Sequence, residues 1–175
     1  RGVPTSDPKR KQAVKRDCYV NLGQGPTIVY KAFLRGRYPI AQAYAGDSFT
    51  VDQVQDLGRG RIVRLGTYGD PAAIPSSIWD RLISRAESHL AYTHQSGFRP
   101  DIAMQSADTK AQAVAHWNNG RRTFRVITDL GDIVKGKEIL CPASKEAGRR
   151  VQCNACKLCG GNSTKSPKSI AIVQH

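Results

Sequence analysis

Short apolar runs alternate with helical stretches along most of this chain, and that alternation restricts the fold more than any other feature. The runs occupy residues 61–65, 90–93, 102–105, 123–127, 138–140 and 170–173, each short and apolar enough for a strand. Between the first two, Ile78, Leu82, Ile83 and Ala86 repeat at helical spacing behind Pro75-Ser76, which predicts a capped helix over 76–89. Between the third and fourth, 109–118 carries Ala111, Val114, Ala115 and Trp117 before Asn119-Gly120, a helix stop. Strands separated by helices pair in parallel, because a parallel partner is reached only through a long crossover. The expected fold is α/β, an open parallel sheet or a partial (βα) barrel, with a cysteine-rich metal or cluster loop at 141–161.

A chain of 175 residues with 39% hydrophobic and 23% charged residues can bury the core of one domain without covalent staples. The expected organisation is a basic arm, 1–16, followed by a single α/β domain, 17–175. The arm holds six bases against the one acid Asp7 and has no apolar periodicity. Gly25-Pro26 then opens a helix with Ile28, Val29, Ala32 and Phe33 on one face, ending near Gly36, and a weaker segment follows at 52–57. No apolar run approaches the roughly 20 residues of a membrane span, and no charged-then-apolar leader opens the sequence, so a soluble, intracellular protein is expected. The first residue is Arg1 rather than Met, so a fragment, a processed product or a trimmed chain is expected, from which upstream ligands could be missing.

Cys153, Cys156 and Cys159 form C-x2-C-x2-C, and Cys141, followed by Pro142, lies upstream with eleven residues between it and Cys153. Thiolates two residues apart on a tight turn can face one centre, which both tetrahedral zinc and cubane clusters exploit. Structural zinc favours two separated C-x2-C knuckles, whereas three cysteines at successive two-residue gaps with a remote fourth favour a ferredoxin-type iron-sulfur loop, zinc being the alternative. Gly160-Gly161 lends backbone freedom, and Lys145, Arg149, Arg150 and Lys157 would lower thiolate pKa and offset the charge of either centre. Unliganded thiols or disulfides are the competing explanation, though disulfides are rare inside cells. Cys18 stands alone, as a small buried hydrophobe or as a further ligand completed by upstream residues.

Ligands of parallel sheets and barrels collect where the strands end. Here those ends carry Gly69-Asp70-Pro71, Thr93-His94-Gln95, Ser106-Ala107-Asp108, Thr128-Asp129 and Cys141-Pro142. Asp70, His94 and Asp108 are the catalytic candidates. His94 could serve as a general base, a metal ligand or a phosphate contact, or simply as a hydrogen-bonded rim residue. Asp70 could bind a ligand's hydroxyls or cap the turn that Asp-Pro initiates, while Asp108 and Asp129 could take a proton or a cation, or cap the next helix. The absence of G-x-x-x-x-G-K-[ST], G-x-S-x-G and H-E-x-x-H excludes phosphate-loop nucleotide hydrolysis, serine hydrolysis and the common zinc peptidases.

A net charge of +13 attracts polyanions and makes nucleic acid the expected partner, with Lys9, Arg10, Lys11, Lys15, Arg16, Arg149 and Arg150 as its contacts. The same charge could instead keep the protein in solution or balance an anionic cofactor.

Cys18-Tyr19-Val20-Asn21-Leu22-Gly23-Gln24-Gly25-Pro26, Arg64-Leu65-Gly66-Thr67-Tyr68-Gly69-Asp70-Pro71-Ala72, Tyr92-Thr93-His94-Gln95, Cys141-Pro142-Ala143-Ser144 and residues 153–160 resemble an uncharacterised family of tailed phages and prophages. The likeness spans most of the chain. More distantly, the chain is similar to the phage gene-product-eighty-eight family, and both look like trimmed relatives of radical S-adenosylmethionine barrels. The resemblance implies the cytoplasm of a bacterial host, and S-adenosylmethionine near Gly69-Asp70-Pro71, because the Gly-Asp/Glu-Pro strand end of that superfamily meets the cofactor's amino group. The radical enzymes carry C-x3-C-x2-C near the first strand; only Cys18 lies there, so radical chemistry is not expected of these residues. Three functions follow as expectations: a metal- or cluster-binding phage protein on nucleic acid, a cluster- or S-adenosylmethionine-dependent enzyme, and a host-factor-binding protein with a structural metal.

Overall fold

The computed structural model describes residues 25–38, 51–149, 151–163 and 166–174. The chain divides into two compact units, residues 1–48 with His175, and residues 49–174. In the first, α1 spans Gly25–Leu34. Pro26 fits its first turn, where a missing N–H costs nothing. Gly36, at φ +64°, ends it together with a bond from Arg37 N to Ala32 O of 3.0 Å. Of the expected apolar face, Ile28 is 68% exposed and Phe33 is exposed too. The basic arm with Lys9, Arg10, Lys11, Lys15 and Arg16, and also Cys18 and Arg150, lie outside the described residues.

The second unit runs α2 (Val51–Gly58), β1 (Ile62–Arg64), α3 (Ser76–Ile83), β2 (Ser88–Leu90), β3 (Tyr92–Thr93), β4 (Met104–Ala107), α4 (Lys110–Asn118), β5 (Thr123–Ile127), β6 (Glu138–Leu140), α5 (Cys153–Cys156) and β7 (Ser169–Val173). Every strand pair is parallel: β1 with β2, and a five-stranded sheet in the order β3-β4-β5-β7-β6. This is the α/β class that the strand and helix alternation implies. The expected strand at 90–93 straddles two short ones, because Ala91 changes partners between them. Its N–H donates to Cys159 O at 2.9 Å while its carbonyl accepts from Met104 N at 3.0 Å.

Alternation along the strands sorts side chains to two faces. Leu90, Met104 and Ile170, with half-buried Tyr92, Phe124 and Ile139, pack on one face against Cys159, Cys153, Cys141 and Leu158. On the other, α4 lies against the sheet: its Trp117 indole donates to Thr123 Oγ1 at 3.0 Å and Ser169 Oγ at 2.8 Å. A second cluster, Leu65, Ala91, Ile102 and Ala103, is covered by Trp79, Leu82 and Ile83 of α3.

Two helices differ from expectation. α3 stops at Ile83, because the backbone from Ser88 onward is taken by parallel pairing with β1, and Ala86, expected on its apolar face, instead bridges Arg59. Its start at Pro75 also has no side-chain cap, since proline offers no acceptor there. In α4 the buried position is Ala113 rather than Val114, which is exposed, because the indole of Trp117 one turn later fixes which side meets the sheet. Thr109 and Gln112 close a reciprocal capping box at its N-terminus. No helix among the described residues is long and apolar enough to cross a membrane.

Candidate metal centre

Cys141 directly follows β6 and, two residues beyond Ile139, belongs to the face that carries the other cysteines. Its N–H donates to Ala171 O at 2.7 Å, which keeps it in strand register. Pro142 then turns the chain, and Ser144 N comes back to Cys141 O at 2.9 Å. Burial pushes the Cys141 thiol above its ordinary pKa, while the N–H groups of Ala143 and Ser144, donating to the sulfur, oppose that rise and Cys153 and Cys156 add to it.

Cys153 and Cys156 sit three apart on the single turn of α5, hence on one side of it. Lys157 ends the turn at φ +54°, the one positive-φ residue other than glycine among those described, and sends Leu158 and Cys159 back toward the sheet. Cys159 is 9% exposed. Its thiol is pushed up to about 11 by burial; a hydrogen bond from the Tyr92 hydroxyl opposes the rise, and Cys141, Cys156 and Cys153 add to it. Burial drives the Tyr92 phenol far above its usual range, so it remains a donor.

The four thiols therefore share one neighbourhood and influence one another, and all four are free of disulfide bonds. Their sulfurs are not drawn in as far as ligation requires: among the described residues no group of three or more His, Cys, Asp or Glu is arranged to hold a metal ion.

Arg122 clamps this loop to the sheet. It is 7% exposed, and its guanidinium donates to Leu158 O at 2.8 Å, to Lys168 O at 2.6 Å and to Gly161 O. Its positive charge also lies within electrostatic reach of Cys159. Gly161, at φ +63°, runs so close to the chain at 100–103 that a Cβ would stand 2.5 Å from Pro100 O. Asn162 completes the anchor, donating from its backbone to Pro100 O at 2.6 Å and from its side chain to Gly120 O at 2.9 Å. Of the bases expected around the cysteines, Lys157 pairs with Glu87, while Lys145 and Arg149 are exposed. Arg122 and Tyr92 were not identifiable from spacing; Tyr92 lies in the Tyr-Thr-His-Gln stretch, and nothing local marks Arg122.

The other candidates meet at the C-terminal ends of β3 and β4. Asp70 Oδ1 accepts from Thr93 Oγ1 at 2.7 Å and Ala72 N at 2.9 Å, and Oδ2 accepts from His94 N at 2.9 Å. Burial works against the ionised form, but these three bonds outweigh it and hold the carboxyl below its usual range. Asp70 thus caps the 3-10 turn Pro71–Ala73 and ties it to β3. His94 Nε2 is 3.5 Å from Asp108 Oδ1, both side chains being largely exposed. Asp108 does not cap α4, since Thr109 does; Asp129 caps the 3-10 turn Leu130–Asp132. A shallow cleft of about 410 Å³, lined by residues 72–76 and 97–99, opens beside the Asp70 turn. No family model, curated protein or solved structure matches this chain.

Proposed function

We propose that Cys141, Cys153, Cys156 and Cys159 ligate an iron-sulfur cluster, with zinc as the competing occupant, in a phage-type protein that binds nucleic acid. The observation that carries the reading is that thiols from two separate segments lie together on one apolar face, unbridged, with donors already aimed at two of them. Burial keeps Cys141 and Cys159 as thiols, and the N–H groups of Ala143 and Ser144 and the Tyr92 hydroxyl offset only part of that preference, so a bound cation would have to supply the rest of what the ligating thiolates need. Rotation of these side chains toward a common point would complete the donor set, and binding free energy would then hold the loop closed. A bound cluster supplies one-electron transfer or a structural pin; zinc supplies the pin alone. The gaps between the cysteines favour iron-sulfur, and the net charge of +13 supports a polyanionic partner.

Elemental analysis of protein purified without oxygen tests the assignment. Brown protein with stoichiometric iron and sulfide is expected; a colourless protein with one zinc per chain would transfer the site to zinc. Cys153→Ser should lose most of the metal and Cys18→Ser should keep it. Equal metal in the wild type and Cys153→Ser would refute the assignment.

A second reading, an enzyme with a strand-end site and S-adenosylmethionine as cofactor, draws support from the meeting of Asp70, His94 and Asp108. Calorimetric titration of anaerobically reconstituted protein with S-adenosylmethionine decides it, absence of binding heat removing this reading.

A further inference from the structure

The two ends of the five-stranded sheet differ in charge. At the N-terminal end, three adjacent strands are each preceded by basic residues: Arg121-Arg122 before β5, Lys168 before β7 and Lys135-Gly136-Lys137 before β6. Parallel pairing in the order β5-β7-β6 sets these starts side by side. Ser169 N donates to Lys137 O at 2.9 Å, and the Lys168 ammonium donates to Gly136 O, so the two lysine segments meet. Gly136, at φ +83°, makes the tight turn that leaves Lys135 and Lys137 exposed. Arg122 is turned inward to the loop carbonyls and Arg121 to Phe98 O at 2.9 Å, so the three lysines set the charge of this rim. None of the three forms an ion pair among the described residues. Glu138, next to Lys137 in sequence, is buried and taken by Arg125. At the opposite end the signs alternate: Asp108 stands two residues before Lys110, Asp129 and Asp132 follow β5, and Glu146 lies between Lys145 and Arg149. Alternating charges cancel at a distance, whereas the three at the N-terminal rim add.

We propose that Lys135, Lys137 and Lys168, at the N-terminal rim of β6 and β7, form a contact surface for the phosphate backbone of duplex DNA. The inference rests on the nucleic-acid reading above and gives it a place on the fold. Sites for single strands add aromatic rings, on which bases stack, to their positive charge. In residues 49–174 the exposed aromatic among those described is Tyr68, beyond the C-terminal end of β1 and not on this rim. A rim of ammonium groups without a stacking ring suits phosphates whose bases are already paired, and it holds them without regard to sequence.

Fluorescence anisotropy with a short labelled duplex DNA, titrated across a range of salt concentrations, compares wild type with two double variants. Lys135→Gln with Lys137→Gln removes two charges from the rim; Arg81→Gln with Lys110→Gln removes two exposed charges from elsewhere in the same unit. The rim variant should bind more weakly, equally so on unrelated sequences, and the slope of log affinity against log salt should become shallower by about 2, one for each lost phosphate contact. The second variant should keep the wild-type slope. A rim variant with the wild-type slope, or the same loss from both variants, would overturn the surface, because the attraction would then belong to net charge alone. Tighter wild-type binding to the single strand of the same sequence, with the rim variant's loss confined to that strand, would overturn the choice of duplex. Wild-type protein that binds no DNA even at low salt would overturn the nucleic-acid reading itself, and the surface with it.

Discussion

Asp70, one of the catalytic candidates, also holds local architecture together. Its two oxygens take three hydrogen bonds, from Thr93, Ala72 and His94, and so join the turn after β1 to the end of β3. Because these bonds hold its folded-state pKa below the unfolded value, the stability it contributes is present above about pH 4 and is lost as pH falls through the folded pKa. Asp70→Asn should accordingly unfold at lower urea than wild type at neutral pH. The gap should narrow as the pH is lowered through the acid limb. Urea titrations across that range check the sign, and a gap that stays constant with pH would assign the loss to shape rather than charge. Gly161 makes the complementary point, since the loop that carries Cys159 can pass residues 100–103 only with no side chain there.

At the scale of elements, the five-stranded sheet is cross-braced by a buried ion pair. Arg125 of β5 donates to Glu138 of β6 at 2.9 and 2.7 Å, with side chains 6% and 0% exposed. The pair spans β7, whose residues on that side, Ser169 and Ala171, are small enough to let it pass. Glu138 also accepts from Val134 N at 2.9 Å, so every part of the carboxylate is used. Glu138→Ala should cost about 3–5 kcal/mol in urea unfolding, because it strands a buried guanidinium. The double change Arg125→Met with Glu138→Leu should recover much of that loss. If the double variant is as unstable as the single one, the cost lies in packing rather than in the unpaired charge.

The sequence made β5 and β6 legible to the residue, because both are short apolar runs bounded by polar turns. It failed at the end of α3, where helical spacing continues through Ala86 but pairing with β1 claims the chain from Ser88. The cysteines were visible as a spacing. What seats them was not, since Arg122 lies more than thirty residues before the carbonyls it holds. Contacts of that kind are set by tertiary packing and leave no local period.

For the whole molecule, charge and the cysteine loop are the two features that reach beyond packing. The excess of 27 Lys and Arg over 14 Asp and Glu should produce nucleic-acid binding that weakens steeply with salt, with log affinity falling linearly against log salt concentration. Filter binding with DNA and RNA at low ionic strength measures it, and no retention there, where attraction is strongest, would remove nucleic acid as a partner. The proposed centre makes the stronger demand, because it requires four neighbouring thiols, which form no metal-holding group among the described residues, to close on one point. X-ray absorption at the metal edge of anaerobically purified protein examines that step directly. Four sulfur neighbours per metal at about 2.3 Å, from cysteine alone for zinc or from cysteine and sulfide for iron, are expected. A first shell of nitrogen and oxygen, or protein that carries no stoichiometric metal, would contradict it.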